Sequence, residues 1–522
     1  MNSKRQKTTS ESGEPIADIA LLLEGTYPYI RGGVSSWVHQ IISGLPEYTF
    51  CLIFLGGEKS AYGSAQYELP SNVVHLEHHY LMDLSKDSKP KKTKGNKAAF
   101  ADIRVLHEQF KTGKPIKDDT MMSVFSNLGK PDGIPKHDFL HSEESWGMVS
   151  DSYEKYCTEP SFIDYFWSVR IMHAPLFMLA EAARKMPHVR SIHSISTGYA
   201  GLLGVMVAQQ RNIPYILTEH GIYTKERKID LAQASWIYDP VAEIGGALDE
   251  EVGYIRQLWI RFFEMTGRLI YQKSDPIISL YEGNRQRQID DGANPEKTEV
   301  IPNGIEVEKF CEIRNARKNE IPLILGLIGR VVPIKDIKTF IRAMRAVCDD
   351  LPEAEGWIVG PEDEDEEYVK ECQDLVQGLG LENKVKFLGF QDISKILPQL
   401  GLMVLTSISE ALPLVILEAY AAGLPCLATD VGSCRELIEG GSSEDKKLGK
   451  SGEVVPIADP DAVARAAISL LSDDTRWHEA QRVGLERVKR FYTHKLMFDK
   501  YRTIYSSAID TFNHQVAKEG KT

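Results

Sequence analysis

The chain has 522 residues, 43% of them hydrophobic and 26% charged, a composition ordinary for folded globular domains and foreign to collagen-like, coiled-coil or largely disordered chains. Lys and Arg number 61 against 74 Asp and Glu, a formal net charge of −13, which argues against a nucleic-acid binder because phosphate recognition needs a basic footprint. At ~150 residues per domain the length predicts about two to four domains. No run of ~18 apolar residues occurs, so no membrane-spanning helix is expected. Met1-Asn2-Ser3-Lys4-Arg5-Gln6-Lys7 leads into polar residues and does not read as a secretory signal. The seven cysteines are scattered without a Cys-x-x-Cys pair. That pattern suits a reducing cytoplasm better than a disulfide framework or a zinc site.

In chain order, residues 1–14 read as a polar tail. Asp18 to Leu23 is a buried strand, followed by a loop with Pro28, Gly32 and Gly33. Val34, Trp37, Val38, Ile41 and Ile42 then recur at the spacing of an amphipathic helix. Phe50 to Leu55 is the next strand, so the order is βαβ and implies a parallel sheet covered on both faces. Ser85 to Lys97 carries Lys86, Lys89, Lys91, Lys92, Lys94 and Lys97. It reads as a solvated loop or as a local site for an anionic partner. A helical insertion occupies about 83–185. Strands resume at Ser191 to His193, Pro214 to Thr218, Pro276 to Ser279 and Val300-Ile301.

Cys311 to Glu320 is polar and marks a domain boundary. Beyond it, strands at Leu323 to Ile328, Gly356 to Val359, Val385 to Leu388, Leu402 to Leu405, Cys426 to Thr429 and Glu453 to Pro456 alternate with helices, one patterned by Ile337, Phe340, Ile341 and Met344. Phe491 to Phe512 reads as one long terminal helix. The expected architecture is α/β, two doubly wound Rossmann-like parallel-sheet domains. Residues 15–310 form the first, 311–490 the second, and 491–522 a helix bracing both. Such sheets bind ligands beyond the carboxyl ends of their strands, so a cleft between the domains is the natural site.

Ser409 to Gly423 is the most informative stretch. Pro413 suits a first helical position and Gly423 the residue past the end. Backbone amides near Leu412, Pro413 and Leu414 would lie at a positive helix terminus, suited to a diphosphate. Glu410 precedes the helix and Glu418 lies inside it; both suit sugar hydroxyls, although Glu418 on a solvated helix face is an equal alternative. Arg330 and Lys335 follow the first strand of the second half. They are either two solvated cations or groups that neutralise a leaving diphosphate. Asp336 reads as an N-cap. Gly32-Gly33 is either a tight turn or a close approach to a ligand. His193 and His220 lie near strand ends and are read first as hydrogen-bonded structural residues. Gly449-Lys450-Ser451 lacks the glycine that a phosphate loop needs at position 444, and Asp363 to Asp365 and Asp459 to Asp461 read as helix starts, not metal sites.

Glu410 and Glu418 eight apart, with Gly329-Arg330 and Lys335 upstream, the Gly32-Gly33 loop, His220-Gly221 and Val300-Ile301-Pro302-Asn303-Gly304-Ile305, together resemble the retaining glycosyltransferases of family four. Leu22 to Tyr29 with Gly32 to Val38 is similar to cytoplasmic members that assemble bacterial exopolysaccharide. The resemblance implies a GT-B fold and a UDP-sugar donor bound mainly by the C-terminal domain. It implies that Arg330 and Lys335 hold the diphosphate and that Glu418 holds the ribose. Glu410 and the Leu412-Pro413-Leu414 backbone would hold the donor hexose, and the backbone near Phe390 would meet the base. Gly33 would approach the phosphate and His220 the transferred sugar. It further implies no metal or other cofactor, a polysaccharide acceptor, and inner-membrane synthase and export proteins as partners. Asp336, Glu306, Ala411-Leu412-Pro413 and Ser433 depart from the family's usual residues. A GT-B transferase of sucrose or trehalose type, and a sugar-nucleotide-binding subunit without turnover, are the alternatives; the paired glutamates argue against a nucleotide-sugar epimerase.

Overall fold

A computed structural model of the chain describes residues 15–81, 91–112, 118–158, 161–234, 253–317 and 320–519. The expected tail 1–14 and residues 85–90 of the lysine-rich stretch lie outside them. The chain forms two compact units. One comprises Met1–Ile278, Gln286–Glu299 and Tyr501–Thr522; the other comprises Ser279–Arg285 and Val300–Lys500.

The first sheet contains β1 (Ala17–Glu24), β2 (Phe50–Gly56), β3 (Val73–Tyr80), β4 (Val189–Ser194), β5 (Tyr215–Glu219), β6 (Ile277–Ser279) and β7 (Thr298–Val300). Its order is β3-β2-β1-β4-β5-β6-β7, all parallel. Leu21, Leu22 and Leu23 of β1 and Leu52, Ile53 and Phe54 of β2 are fully buried, which is why these segments read as unbroken apolar runs. Register pairs Leu22 with Ile53 on one side and with Ser194 on the other. Trp37, Val38, Ile41 and Ile42 bury one face of helix Gly33–Gly44. Between β3 and β4 lie helices Lys97–Thr112, Asp118–Asn127, Lys136–His141, Glu143–Tyr156 and Phe162–Lys185, whose buried side chains join the core of the same unit.

The second sheet contains β8 (Ile324–Ile328), β9 (Glu355–Val359), β10 (Val385–Phe387), β11 (Leu402–Leu405), β12 (Cys426–Thr429) and β13 (Gly452–Val455), in the order β10-β9-β8-β11-β12-β13. It encloses its own core with helix Ile337–Asp350, on which Ile337, Phe340, Ile341 and Met344 are fully buried. In each sheet the order reverses between two neighbours, β1 and β4 in the first and β8 and β11 in the second. The chain leaves those two strands in opposite directions, which opens a crevice at their carboxyl ends.

Two features differ from the expectation. β3, Val-Val-His-Leu-Glu-His-His-Tyr, was not expected, because histidine and glutamate at the sheet edge break its apolar run. The terminal helix is a single element as expected but runs His494–Glu519, starting three residues later and ending seven later, because a break at Tyr492-Thr493 parts it from the preceding helix Asp474–Phe491. At the break Ile305 N donates to Tyr492 O at 2.9 Å and His494 N to Ile305 O at 3.0 Å, so a backbone bridge replaces the helical ladder.

Candidate active site

In the second unit, the loops that leave β8 and β11 at the crevice are tied together. Thr406 Oγ1 donates to Lys335 O and Asp336 O, both at 3.0 Å, and Ile408 N donates to Ile334 O at 2.9 Å. Lys335 Nζ donates to Glu410 Oε1 at 2.5 Å, with only 20% and 14% of the two side chains exposed. Ser407 Oγ donates to the same oxygen at 2.7 Å. Asp336 follows in the left-handed region, φ 45° and ψ 53°, where its carboxylate accepts from Thr339 N and caps helix Ile337–Asp350. The N-cap reading of Asp336 is thus observed, and its short polar side chain makes the left-handed conformation tolerable without glycine.

Glu410 leads into helix Leu414–Ala421. Pro413 is the cap residue, φ −73° and ψ 107°, and not the first helical residue as its type suggested. Its ring still favours the extended entry, and Leu414 becomes the first helical residue; Ile416 N already donates to Pro413 O at 3.2 Å, so the N–H groups of Leu414 and Val415 are those left without intrahelical acceptors. Gly423 stands past the far end with φ +72°. Leu412 is 8% exposed and Pro413 is buried. The loop after β12 clamps this segment: Ser433 N donates to Ala411 O at 2.9 Å, and a Cβ on Gly432 would lie 2.2 Å from Glu410 O.

Glu418 lies in the first turns of the helix, partly buried, and burial lifts its carboxyl to about 7. Among the described residues nothing pairs with that carboxyl. Arg330 points elsewhere, with Nη1 at 2.6 Å from both oxygens of Glu364 on an exposed surface. Phe390, after Gly389 and beyond β10, is 81% exposed. The second unit therefore joins Lys335, Glu410 and Ser407 directly, whereas Arg330, Glu418 and Phe390 are held separately on the same unit.

In the first unit a cavity of about 490 Å³ opens beyond β1, β2, β4 and β5, within the range of small-ligand sites. Glu24, Tyr62, Tyr199, His220, Tyr223 and Phe263 are among its walls. Glu24 accepts from Tyr223 OH at 2.9 Å and from Ala200 N at 3.1 Å, so it caps helix Tyr199–Arg211 from a neighbouring strand end. His220 is 8% exposed, meets Trp37 edge-on with centroids 4.7 Å apart, and is pulled down to about 4 by burial. Its ring is neutral at physiological pH. A Cβ on Gly32 or Gly33 would meet no protein atom within 4 Å, so packing within the chain does not explain that glycine pair. His193 is structural, with ring nitrogens 2.8 Å from Tyr505 OH and 2.8 Å from Thr218 Oγ1.

Glu219 has no local signature that marks it as functional; it is fully buried and accepts from Thr197 Oγ1, Tyr271 OH, Gln288 Nε2 and Tyr223 N. This knot holds the strand end that presents His220. The look-alike motifs are structural. Lys450 pairs with Glu439 at 2.9 Å, Ser451 is buried against Tyr420, and Asp365 and Asp459 cap helices.

Residues 17–296 match the family described as "Domain of unknown function (DUF3492)", and residues 310–485 match "Glycosyl transferases group 1". Since the first match spans more than half of its length, the chain belongs to the DUF3492 family. It is 30% identical over 188 residues to N-acetyl-alpha-D-glucosaminyl L-malate synthase of Bacillus anthracis, covering 36% of this chain and 46% of that one. It is 25% identical over 335 residues to a D-inositol 3-phosphate glycosyltransferase of Kribbella flavida, covering 60% and 70%. The first of these matches thus spans about half of the relative's length. Among solved structures, Anabaena Alr3699/HepE in complex with UDP superposes with a TM-score of 0.57 at 16% identity, over 94% of this chain and 100% of that one. Sucrose-phosphate synthase of Thermosynechococcus elongatus gives 0.55 at 17%, over 95% and 100%. These likenesses establish the GT-B fold.

Proposed function

We propose that the chain is a retaining, metal-independent hexosyltransferase that moves a hexose or N-acetylhexosamine from a UDP-sugar to a growing bacterial exopolysaccharide. The observation that carries this reading is the Lys335–Glu410 pair at the crevice of the second sheet, beside the start of helix Leu414–Ala421. A cation, a carboxylate and a helix N-terminus together suit a sugar diphosphate: the first and last face the phosphates, the second faces hydroxyls.

In the reaction the bond from the sugar's anomeric carbon to the diphosphate breaks and one to the acceptor oxygen forms on the same face. The acceptor proton passes to the leaving phosphate. Negative charge grows on the diphosphate as the sugar becomes oxocarbenium-like. Lys335, Arg330 and the helix start oppose that charge; in acyl transfer, loss of one preorganised donor to a growing negative charge slows the reaction by about 10²–10³. Arg330 is available because its exposed pair with Glu364 is worth only about 0–1 kcal/mol. Glu410 accepts from the hexose, Glu418 accepts from the ribose, and the backbone near Phe390 meets the base. Neutral His220 donates a hydrogen bond to the transferred sugar without adding charge, and the open space at Gly33 admits a phosphate. The Anabaena protein of the same fold has been seen in complex with UDP-glucose, which supports a uridine donor.

The opening residues resemble PelF, the cytoplasmic glycosyltransferase of Pel assembly, so the proposed acceptor is the Pel chain of the biofilm matrix. Among the described residues no helix is long and apolar enough to cross a membrane. The same resemblance assigns export of the product to inner-membrane synthase and export proteins, as partners of a cytoplasmic enzyme. The test is UDP release by the purified full chain from UDP-glucose, UDP-galactose, UDP-N-acetylglucosamine and UDP-N-acetylgalactosamine, with and without glycan acceptor. Release from one donor that depends on acceptor and survives EDTA is expected. UDP-sugar binding with no release across the panel would indicate a silent subunit, and a strong magnesium requirement would refute metal independence.

A further inference from the structure

We infer that Ser407 is a positioning residue for the donor sugar, an inference that rests on the glycosyltransferase reading above. Ser407 is fully buried in the loop after β11, three residues before Glu410. Its hydroxyl donates to Glu410 Oε1 at 2.7 Å, and Lys335 Nζ donates to that same oxygen at 2.5 Å. Among the described residues no donor lies on Oε2. A carboxylate accepts at both oxygens, so two donors on one of them fix its orientation and leave the other as the acceptor facing a ligand.

The two donors are not equivalent. Lys335 is the cation assigned to the diphosphate, and an ammonium drawn toward phosphate oxygens slackens its hold on Glu410. Ser407 carries no charge and has no competing partner of that kind. It is itself anchored: Thr429 Oγ1 donates to Ser407 O at 2.6 Å, and both threonine and serine are fully buried. Ser407 is therefore the group that keeps Glu410 aimed once the donor has arrived. Without it the carboxylate rotates as Lys335 turns to the phosphates, and the sugar loses a preorganised acceptor while the nucleotide keeps its contacts.

The experiment is calorimetric titration of wild type and Ser407→Ala with UDP and with whichever of the four UDP-sugars binds wild type most tightly. Loss of a hydrogen bond to a charged group predicts about tenfold to a hundredfold weaker UDP-sugar binding, with UDP binding changed by less than about twofold. Ser407→Cys, whose thiol is a weaker donor, is expected to fall between the two and controls for folding. In a Glu410→Ala background, Ser407→Ala should have no further effect, because the serine acts through the carboxylate. Equal weakening of UDP and UDP-sugar, or the same loss without Glu410, would overturn the positioning role while leaving the transferase reading intact. Failure of wild type to bind any of the four sugars more tightly than UMP would remove the reading and the inference together.

Discussion

Glu418→Gln separates the needs of the fold from those of the ligand. Burial moves this carboxyl from an ordinary 4.5 to about 7. The folded chain therefore keeps its proton to near neutrality, whereas the unfolded chain releases it near the ordinary value. Between those points the folded state binds more protons, so stability falls as pH rises from about 4.5 through 7. At roughly 1.4 kcal/mol per pH unit the full penalty is about 3 kcal/mol, and the partial exposure of Glu418 reduces it to about 1–3 kcal/mol. Glutamine has the same shape and no charge. Scanning calorimetry should show the variant more stable at pH 8, by about 2–4 °C per kcal/mol, and close to wild type below about pH 4, where the carboxyl is protonated in both folded and unfolded chains. The same variant should bind UDP more weakly at pH 8, and wild-type affinity should rise between pH 6 and 8 as the carboxylate forms. An equal effect at both pH values, or a loss of stability at pH 8, would show that the carboxylate is paired in the folded chain and refute the reasoning.

Lys335→Ala should weaken UDP-sugar binding and turnover by about tenfold to a hundredfold, and UMP binding far less. Equal loss in titrations with the two ligands would move Lys335 away from the diphosphate. Arg487→Met leaves the fully buried Asp445 carboxylate without its partner, and breaking such a pair is expected to destabilise the second unit by about 3–5 kcal/mol. Denaturant unfolding followed by far-ultraviolet circular dichroism measures it, and a change below about 1 kcal/mol would contradict the argument.

Much of this architecture is legible in the sequence because parallel strands buried on both faces must be apolar along their whole length. Leu402–Leu405 and Cys426–Thr429 are legible to the residue for that reason. The loops of the second site are also legible, since Glu410 and Glu418 sit on one short strand-loop-helix unit and the cap residues around them have local preferences. What escapes are contacts between residues far apart in the chain. Glu24 and Tyr223 are 199 positions apart and meet only after β1 and β5 share a sheet. Nothing local distinguishes Ser407 from any loop serine; its role depends on two strands being neighbours. Arg330 similarly gave no hint that Glu364 would hold it. The buried His107–His173 pair, 2.7 Å between ring nitrogens, lies inside the helical insertion, whose packing has no signature at the level of periodicity.

The guanidinium of Arg487 reaches Asp445, the carbonyls of Leu437, Ile438 and Gly449, and the Ser451 hydroxyl from a position closed to water. The amide protons of Leu437 and Ser451, bonded to Ser433 O and Ile438 O at buried positions beside that guanidinium, should accordingly be among the slower in the chain to exchange with deuterium. An arginine so enclosed has no freedom to turn toward a triphosphate, and ATP should leave the exchange of those two amides untouched.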